Sequence, residues 1–263
     1  MLAEYQADPP SYQDGSKVFP FAQDVYGSPE VKQCLSEAQH RKCAYCEVRI
    51  ISEAGDVEHF RPKASVRQGK GESKQRPGYF WLAYTWSNLL YACSRCNREH
   101  KRDLFPLEDP TVRADAVRDG GSTAGEAPLL LDPSTEDPER SIGFNEERAE
   151  PLGGQRRGQV TIDMLGLNRM QLLEARREKL EQVRRMVEGL RLVRAGRIPM
   201  DNPDAHKYLQ KLCRGIVAAA EAHAPFAGMI RGAARQWLAP DLSFPCSEEE
   251  LTTWALSRVQ EPR

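Results

Sequence analysis

The chain holds 263 residues, 40% of them apolar and 29% charged, with a formal net charge of −1. That length can bury a real core as one large domain or two smaller ones, and the composition excludes a fibre, a disordered tail or a small disulfide scaffold. No apolar run approaches the roughly 18 residues a membrane span needs, and the opening MLAEYQADPPSYQDG lacks the basic and apolar regions of a signal peptide, so the expected compartment is the cytoplasm and the expected cysteine state is reduced.

The near-zero net charge hides a segregation. Between Arg41 and Asp103, 13 lysines and arginines face 7 acidic residues, whereas between Leu104 and Gln155 the balance is 4 against 12. A basic block followed by an acidic one predicts a polyanion site beside a stretch that repels polyanions.

The first 28 residues are rich in Pro, Tyr, Gln and Asp without a sustained period, which predicts an extended arm that packs on another part of the chain. Pro29–Gln39 reads as a helix, with Ser28 as cap and Pro29 in the first turn. A tight turn at HRKCAYCEV follows, with short strands expected around 48–51 and 56–60. Residues 64–79 are polar, basic and glycine-bearing, the pattern of a mobile loop. TWSNLLYACSRC carries an apolar run into NREHKRD, which reads as a helix start. Residues 108–158 alternate acidic, Pro and Gly-rich pieces with short apolar runs and predict irregular structure with a few strands. From Val160 the period is helical. Asn168 with Gln171 reads as a capping box, and Leu173, Leu180, Val183, Val187 and Leu190 mark one face. Further helices are expected over 203–223 and 226–238, with a last one capped by Ser247 and Glu250.

Four of the seven cysteines are paired by spacing, Cys43 with Cys46 and Cys93 with Cys96. Two such turns can offer four thiolates to one tetrahedral Zn²⁺. A single pair would equally suit a redox site; two pairs in one basic block favour zinc. The 46 residues between the pairs exceed the roughly 15–20 of an ordinary zinc ribbon, so a segment is inserted between the two halves. Cys34, Cys213 and Cys246 each read as a buried apolar residue or a spectator.

The insert carries DVEHFRPK. An isolated histidine is more often a surface or core residue than a catalyst, but His59 follows Glu58 and precedes Asn88, Asn97 and His100. On a flat strand Glu58 and His59 point to opposite faces; a twisted hairpin end brings both toward one site. Asn97 and His100 share a helical face. Together these residues offer a general base, hard oxygen donors and a second imidazole. Asn97 could instead cap its helix, Asn88 could be a turn residue, and His100 a solvated one.

The order Cys43-x-x-Cys46, Glu58-His59-Phe60-Arg61-Pro62, Trp86-x-Asn88-Leu89-Leu90 and Cys93-x-x-Cys96-Asn97 resembles the HNH endonucleases with a ββα-metal core. YGSPEVKQCL, LLLDP and TIDMLGLNR extend the likeness to the HNH nuclease subunit of Septu and retron-associated anti-phage systems, over roughly residues 24 to 180. The resemblance implies an α+β fold: a zinc-ribbon-stabilised ββα-metal core over 29–107, an N-terminal arm over 1–28, an acidic connector over 108–158 and a mainly helical domain over 159–263.

It further implies that His59 is the general base on a water that attacks a phosphodiester, oriented by a side-chain or backbone contact from Asn88. Glu58 and Asn97 would hold one catalytic Mg²⁺ or Mn²⁺, with His100 and Asp56 as substitutes. Glu58 departs from the Asp that often precedes the base. Cys43, Cys46, Cys93 and Cys96 would hold a structural Zn²⁺. Arg61, Lys63, Arg95, Arg98 and Lys101, with Arg67, Lys70, Lys74, Arg76 and Arg102, would contact phosphates. Tyr79 could stack on bases, whereas Phe80 and Trp81 read as core. The implied partners are nucleic acid, DNA ahead of RNA, and an ABC- or SMC-like ATPase that controls cleavage; the helical domain and the acidic connector are candidates for that contact. A rival reading is a zinc-stabilised nucleic-acid-binding module without catalysis, which leaves His59 and its companions without a purpose.

Overall fold

The computed structural model describes residues 1–51, 55–238 and 246–257. They form a mixed helix and small-sheet protein in two compact units, one of residues 1–142 and 150–167, the other of residues 143–149 and 168–263. Among the described residues no helix is long and apolar enough to cross a membrane.

In the first unit the N-terminal stretch is not extended. It folds into three short helices, α1 (Leu2–Ala7), α2 (Pro9–Gln13) and α3 (Gln23–Tyr26). Helices of four to six residues are marginal in water and leave no period to read; here aromatic burial holds the first two, through Tyr5 and Tyr12. Tyr5, Tyr12 and Phe19 form one cluster with Phe80 and Ala116, with the rings of Phe19 and Phe80 stacked at 4.4 Å. Helix α4 (Pro29–Ala38) begins as its sequence predicts, with Ser28 accepting from the Val31 N–H.

Strands β1 (Gly55–His59) and β2 (Leu89–Cys93) pair antiparallel, with Gly55 opposite Cys93 and His59 opposite Leu89. A side chain at Gly55 would run into the Tyr91 ring, so glycine is what lets β1 lie on β2 there. The chain then enters a wide π-helix, Arg95–Lys101. Strand structure does not form over 48–51: the Cys43–Cys46 turn makes one isolated bridge, between Lys42 and Arg49. Gln39 docks that turn on β2, its side-chain amide donating to the Tyr91 carbonyl and accepting from the Tyr91 N–H. The loop over 64–79 is tied by a bridge between Val66 and Gln75, and Phe80 to Leu82 form a 3₁₀ turn rather than a strand.

Beyond residue 107 the chain is irregular until the hairpin of β3 (Ile142–Asn145) and β4 (Arg148–Pro151), followed by α5 (Arg156–Met164). The second unit contains α6 (Met170–Arg194), α7 (Pro203–Ala220), α8 (Ala227–Leu238) and α9 (Glu248–Leu256). Leu180, Val183, Val187 and Leu190 are buried, and Leu172 takes the inward place expected of Leu173. The capping box expected at Asn168 is absent: α6 starts at Met170, and the Asn168 amide instead accepts from the Ala149 N–H and donates to its carbonyl. The box at Ser247 and Glu250 is present.

Candidate active site

The site lies in the first unit. Cys43, Cys46, Cys93 and Cys96 converge, their sulfur atoms all within 4.8 Å of one another. The Cys46–Cys93 separation is 3.8 Å, which matches the edge of a tetrahedron with Zn–S bonds of about 2.3 Å. The Cys96 N–H lies 3.5 Å from the Cys93 sulfur, as in a metal-binding turn. Burial pushes the Cys43 thiol up, while its contact with Cys43 pulls Cys46 down, so the four sulfurs cannot all ionise without a cation. The cluster could hold zinc. The remaining described cysteines are free thiols too.

The cluster pins the far ends of β1 and β2, and their other end presents His59. The imidazole is buried. Its Nε2 lies 2.9 Å from the Ala83 carbonyl oxygen, and its Nδ1 lies 3.4 Å from Lys63 Nζ. A carbonyl only accepts, so Nε2 carries the proton and Nδ1 keeps its lone pair. The Tyr26 ring meets the imidazole edge-on at 4.8 Å. Burial, then the Lys63 charge, holds the pKa down to about 4 against the Ala83 hydrogen bond, so the ring is neutral at working pH.

Asn88 makes no hydrogen bond to the imidazole. Its side chain clamps the backbone of Arg61 and the Leu82 carbonyl, and its own carbonyl accepts from Phe60. It thereby fixes the chain on both sides of the histidine, two residues past His59 and one before Ala83.

Glu58 is buried, and burial raises its pKa despite Lys101, whose ammonium lies 2.5 Å from Oε1 and 2.9 Å from the His59 carbonyl. Asp56, two residues back on the same face of β1, pairs with Arg98 and accepts from the Asn97 amide at 3.2 Å. Asp56, Glu58, His59, Lys63 and Asn97 line one open cavity of about 400 Å³. His100 does not line it; its imidazole packs against Gly166.

The basic residues divide. Arg95 and Arg98 are exposed, and Lys63 faces the cavity. Lys101 is turned wholly inward. Arg61 is held by Glu126 at 3.0 Å over the Phe60 and Phe105 rings. Tyr79 is buried and donates to Glu126 at 2.6 Å, so it offers no face for stacking. By charge alone these residues carry one meaning; their direction divides it. Ala83 acts through its backbone and has no sequence signal. Lys101 reads as one more surface cation and is fully buried instead.

A small antiparallel two-stranded sheet beside a four-cysteine cluster that could bind zinc, followed by a helix, thus carries a buried histidine at a polar cavity. The particular kinship comes from comparison. The chain is 32% identical over 206 residues to the Septu protein PtuB of Bacillus mycoides (strain KBAB4), covering 76% of this chain and 68% of that protein. It therefore belongs to the Septu PtuB family. A 136-residue stretch, 51% of this chain, is 32% identical to 18% of the Septu protein PtuA from the same organism. A candidate HNH endonuclease of retron Vc95 from Vibrio cholerae serotype O1 biovar El Tor is 28% identical over 58% of this chain and 64% of its own length. No family model matches the chain, and no solved structure does.

Proposed function

We propose that this protein is a metal-dependent HNH endonuclease that hydrolyses phosphodiester bonds of nucleic acid, DNA ahead of RNA, as the effector of an anti-phage system. The observation that carries this reading is His59: one ring nitrogen is committed to a backbone carbonyl, the other meets Lys63, and the two residues line a cavity together with Asp56, Glu58 and Asn97. A packed structural histidine has no need of that arrangement. Kinship with PtuB and with the retron protein supports the class.

In this reading β1, β2 and the helix Arg95–Lys101 are the ββα-metal core. Nδ1 of His59 takes a proton from water as the water oxygen attacks phosphorus. Ala83 holds the tautomer, and Asn88 holds the segments that carry both. Glu58 and Asn97, with Asp56 in reserve, are hard oxygen donors of the kind Mg²⁺ or Mn²⁺ prefers. Such an ion, when bound, supplies charge for the phosphate and the departing oxygen. His100 stands outside this group. A structural Zn²⁺ on the four cysteines would fix the hairpin. We further infer a partner ATPase from the same Septu system, through which cleavage is controlled.

The test offers supercoiled plasmid and total RNA to purified wild type and His59→Ala, with Mg²⁺, Mn²⁺ or EDTA, with and without the partner subunit. Metal-dependent cleavage lost in the variant is the expected result, and the polymer degraded names the substrate. Equal cleavage by both proteins would remove His59 as the base. Tight binding with no cleavage under any condition would favour a binding module.

A further inference from the structure

We propose that Lys63 is a second catalytic residue of this site: its ammonium caps the base nitrogen of His59 in the substrate-free protein, and moves onto the phosphate to be cut, freeing Nδ1 for the attacking water. The inference rests on the nuclease reading above.

The argument begins with hydrogen-bond polarity. Nε2 of His59 donates to Ala83, so Nδ1 is the only ring nitrogen left to take a proton. An ammonium can donate and cannot accept. Lys63 Nζ, 3.4 Å from Nδ1, therefore points a proton at that lone pair. While it does, no water can give Nδ1 its own proton. At this length the bond is weak, and little is lost by breaking it.

Lys63 has few other attachments. Its ammonium sits 4.4 Å from the Tyr26 ring centre and 5.5 Å from that of Phe21. Among the described residues no carboxylate lies within ion-pair distance of it. Burial lowers its pKa against the pull of the Glu58 charge, the sign of a cation short of solvent. An anion entering the cavity that Lys63 lines with His59 and Glu58 meets that need, and a charge-assisted bond to a phosphate oxygen outweighs a long bond to an imidazole. The place is set by the sequence. Lys63 follows the base by four residues, and the turn between them is anchored by the Pro62 carbonyl, which accepts from the Tyr79 N–H.

The bookkeeping of the step is simple. The water oxygen bonds to phosphorus, and its proton passes to Nδ1. The phosphorus bond to the leaving oxygen breaks, and that oxygen departs with the electron pair and is protonated by solvent. Lys63 keeps its protons throughout and meets the charge that grows on the phosphate.

The test uses the full, zinc-loaded chain. With no Mg²⁺ or Mn²⁺ added, ¹⁵N-histidine NMR follows Nδ1 of His59 as a short DNA duplex or a short RNA is added, with His59→Gln as the assignment control. The Nδ1 signal should move toward that of an uncapped nitrogen in wild type. In Lys63→Met it should start there and stay. With Mg²⁺ or Mn²⁺, Lys63→Met should lose kcat by about 10²-fold, and Lys63→Arg should recover part of it. Methionine keeps the length and the aromatic contacts; Lys63→Gln serves should it misfold. A Lys63→Met protein that cuts as fast as wild type, or faster, overturns the catalytic role. A wild type that cuts while its Nδ1 signal stays fixed overturns the switch and leaves the nuclease reading intact. A wild type that shows the shift and never cuts overturns the nuclease reading, and leaves Lys63 as a phosphate-responsive cap.

Discussion

The side-chain amide of Asn88 pairs with the backbone of Arg61 as a neighbouring strand would: Oδ1 accepts from the Arg61 N–H at 2.8 Å, and Nδ2 donates to the Arg61 carbonyl at 3.0 Å. The same Nδ2 reaches the Leu82 carbonyl at 3.2 Å. One buried side chain thus ties the segment leaving His59 to the segment that delivers Ala83. Asn88→Ala removes all three bonds and leaves buried backbone groups unmet, at about 1–3 kcal/mol. Thermal unfolding should show the loss. Nuclease activity should fall further than stability accounts for, because the imidazole loses its frame. Asn88→Asp keeps the acceptor and sets a carboxylate against two carbonyls; it should rescue neither property.

Much of the site is legible in the sequence, and the remainder is illegible for physical reasons. Cys43, Cys46, Cys93 and Cys96 are found by spacing, because a tetrahedral cluster demands paired turns. His59 and Glu58 are found by the company they keep. Lys101 looks like one more cation in a basic block, since composition carries charge but not direction; only the fold turns it inward. Ala83 contributes a carbonyl, which any residue has. Tyr5 and Tyr12 belong to helices too short for periodicity, Phe19 to the segment that follows them, and their order comes from meeting Phe80. Asn168 fits a capping pattern, yet tertiary pairing with Ala149 takes its amide first.

His59 makes stability depend on pH in a direction that can be worked out. An unfolded imidazole titrates near ~6.5; the folded one is held down to about 4 by burial and then by Lys63. Between those values the unfolded chain takes up a proton that the folded chain refuses. Stability is therefore flat above roughly pH 6.5, falls as the pH drops toward about 4, and levels again below. The full loss is about 3 kcal/mol. Burial raises the pKa of Glu58, which acts in the opposite sense, so the readout is a difference. Unfolding free energies of wild type and His59→Gln should diverge against wild type from pH 7.5 to 4.5. A constant difference across that range would show an unshifted histidine.

The four-cysteine cluster predicts one zinc per chain by elemental analysis. Removing it should loosen the Cys43–Cys46 turn on β2, leaving the Gln39 amide and the Ala44 N–H, both bonded to Tyr91, to hold the two together. A chelator under mild denaturation should expose four further thiols to a colorimetric reagent. Cys93→Ala should lower Tm by roughly 10 °C or more, given the binding energy of a structural zinc. Cys34 is exposed and outside the cluster, so Cys34→Ser should leave both zinc content and Tm as they are.

The buried pair of Lys101 and Glu58 offers a test of which carboxylate would take the proposed catalytic ion. Lys101 has no exposed surface, and its ammonium is the near neighbour of Glu58 Oε1 at 2.5 Å. Lys101→Met leaves a buried carboxylate unpaired, a loss of roughly 3–5 kcal/mol without metal. If Glu58 is a ligand, Mg²⁺ or Mn²⁺ replaces the missing charge. The Tm of Lys101→Met should then rise with the ion far more than that of wild type, and adding Glu58→Gln should abolish the rise. Arg98→Met is the contrasting variant. The Arg98 side chain is 69% exposed in its pair with Asp56, so its loss should cost under ~1 kcal/mol. An ion-dependent rise in Arg98→Met, with none in Lys101→Met, would move the ligand from Glu58 to Asp56. The two melting series need no substrate and no partner, so they read the metal site even in a chain whose cleavage is held silent.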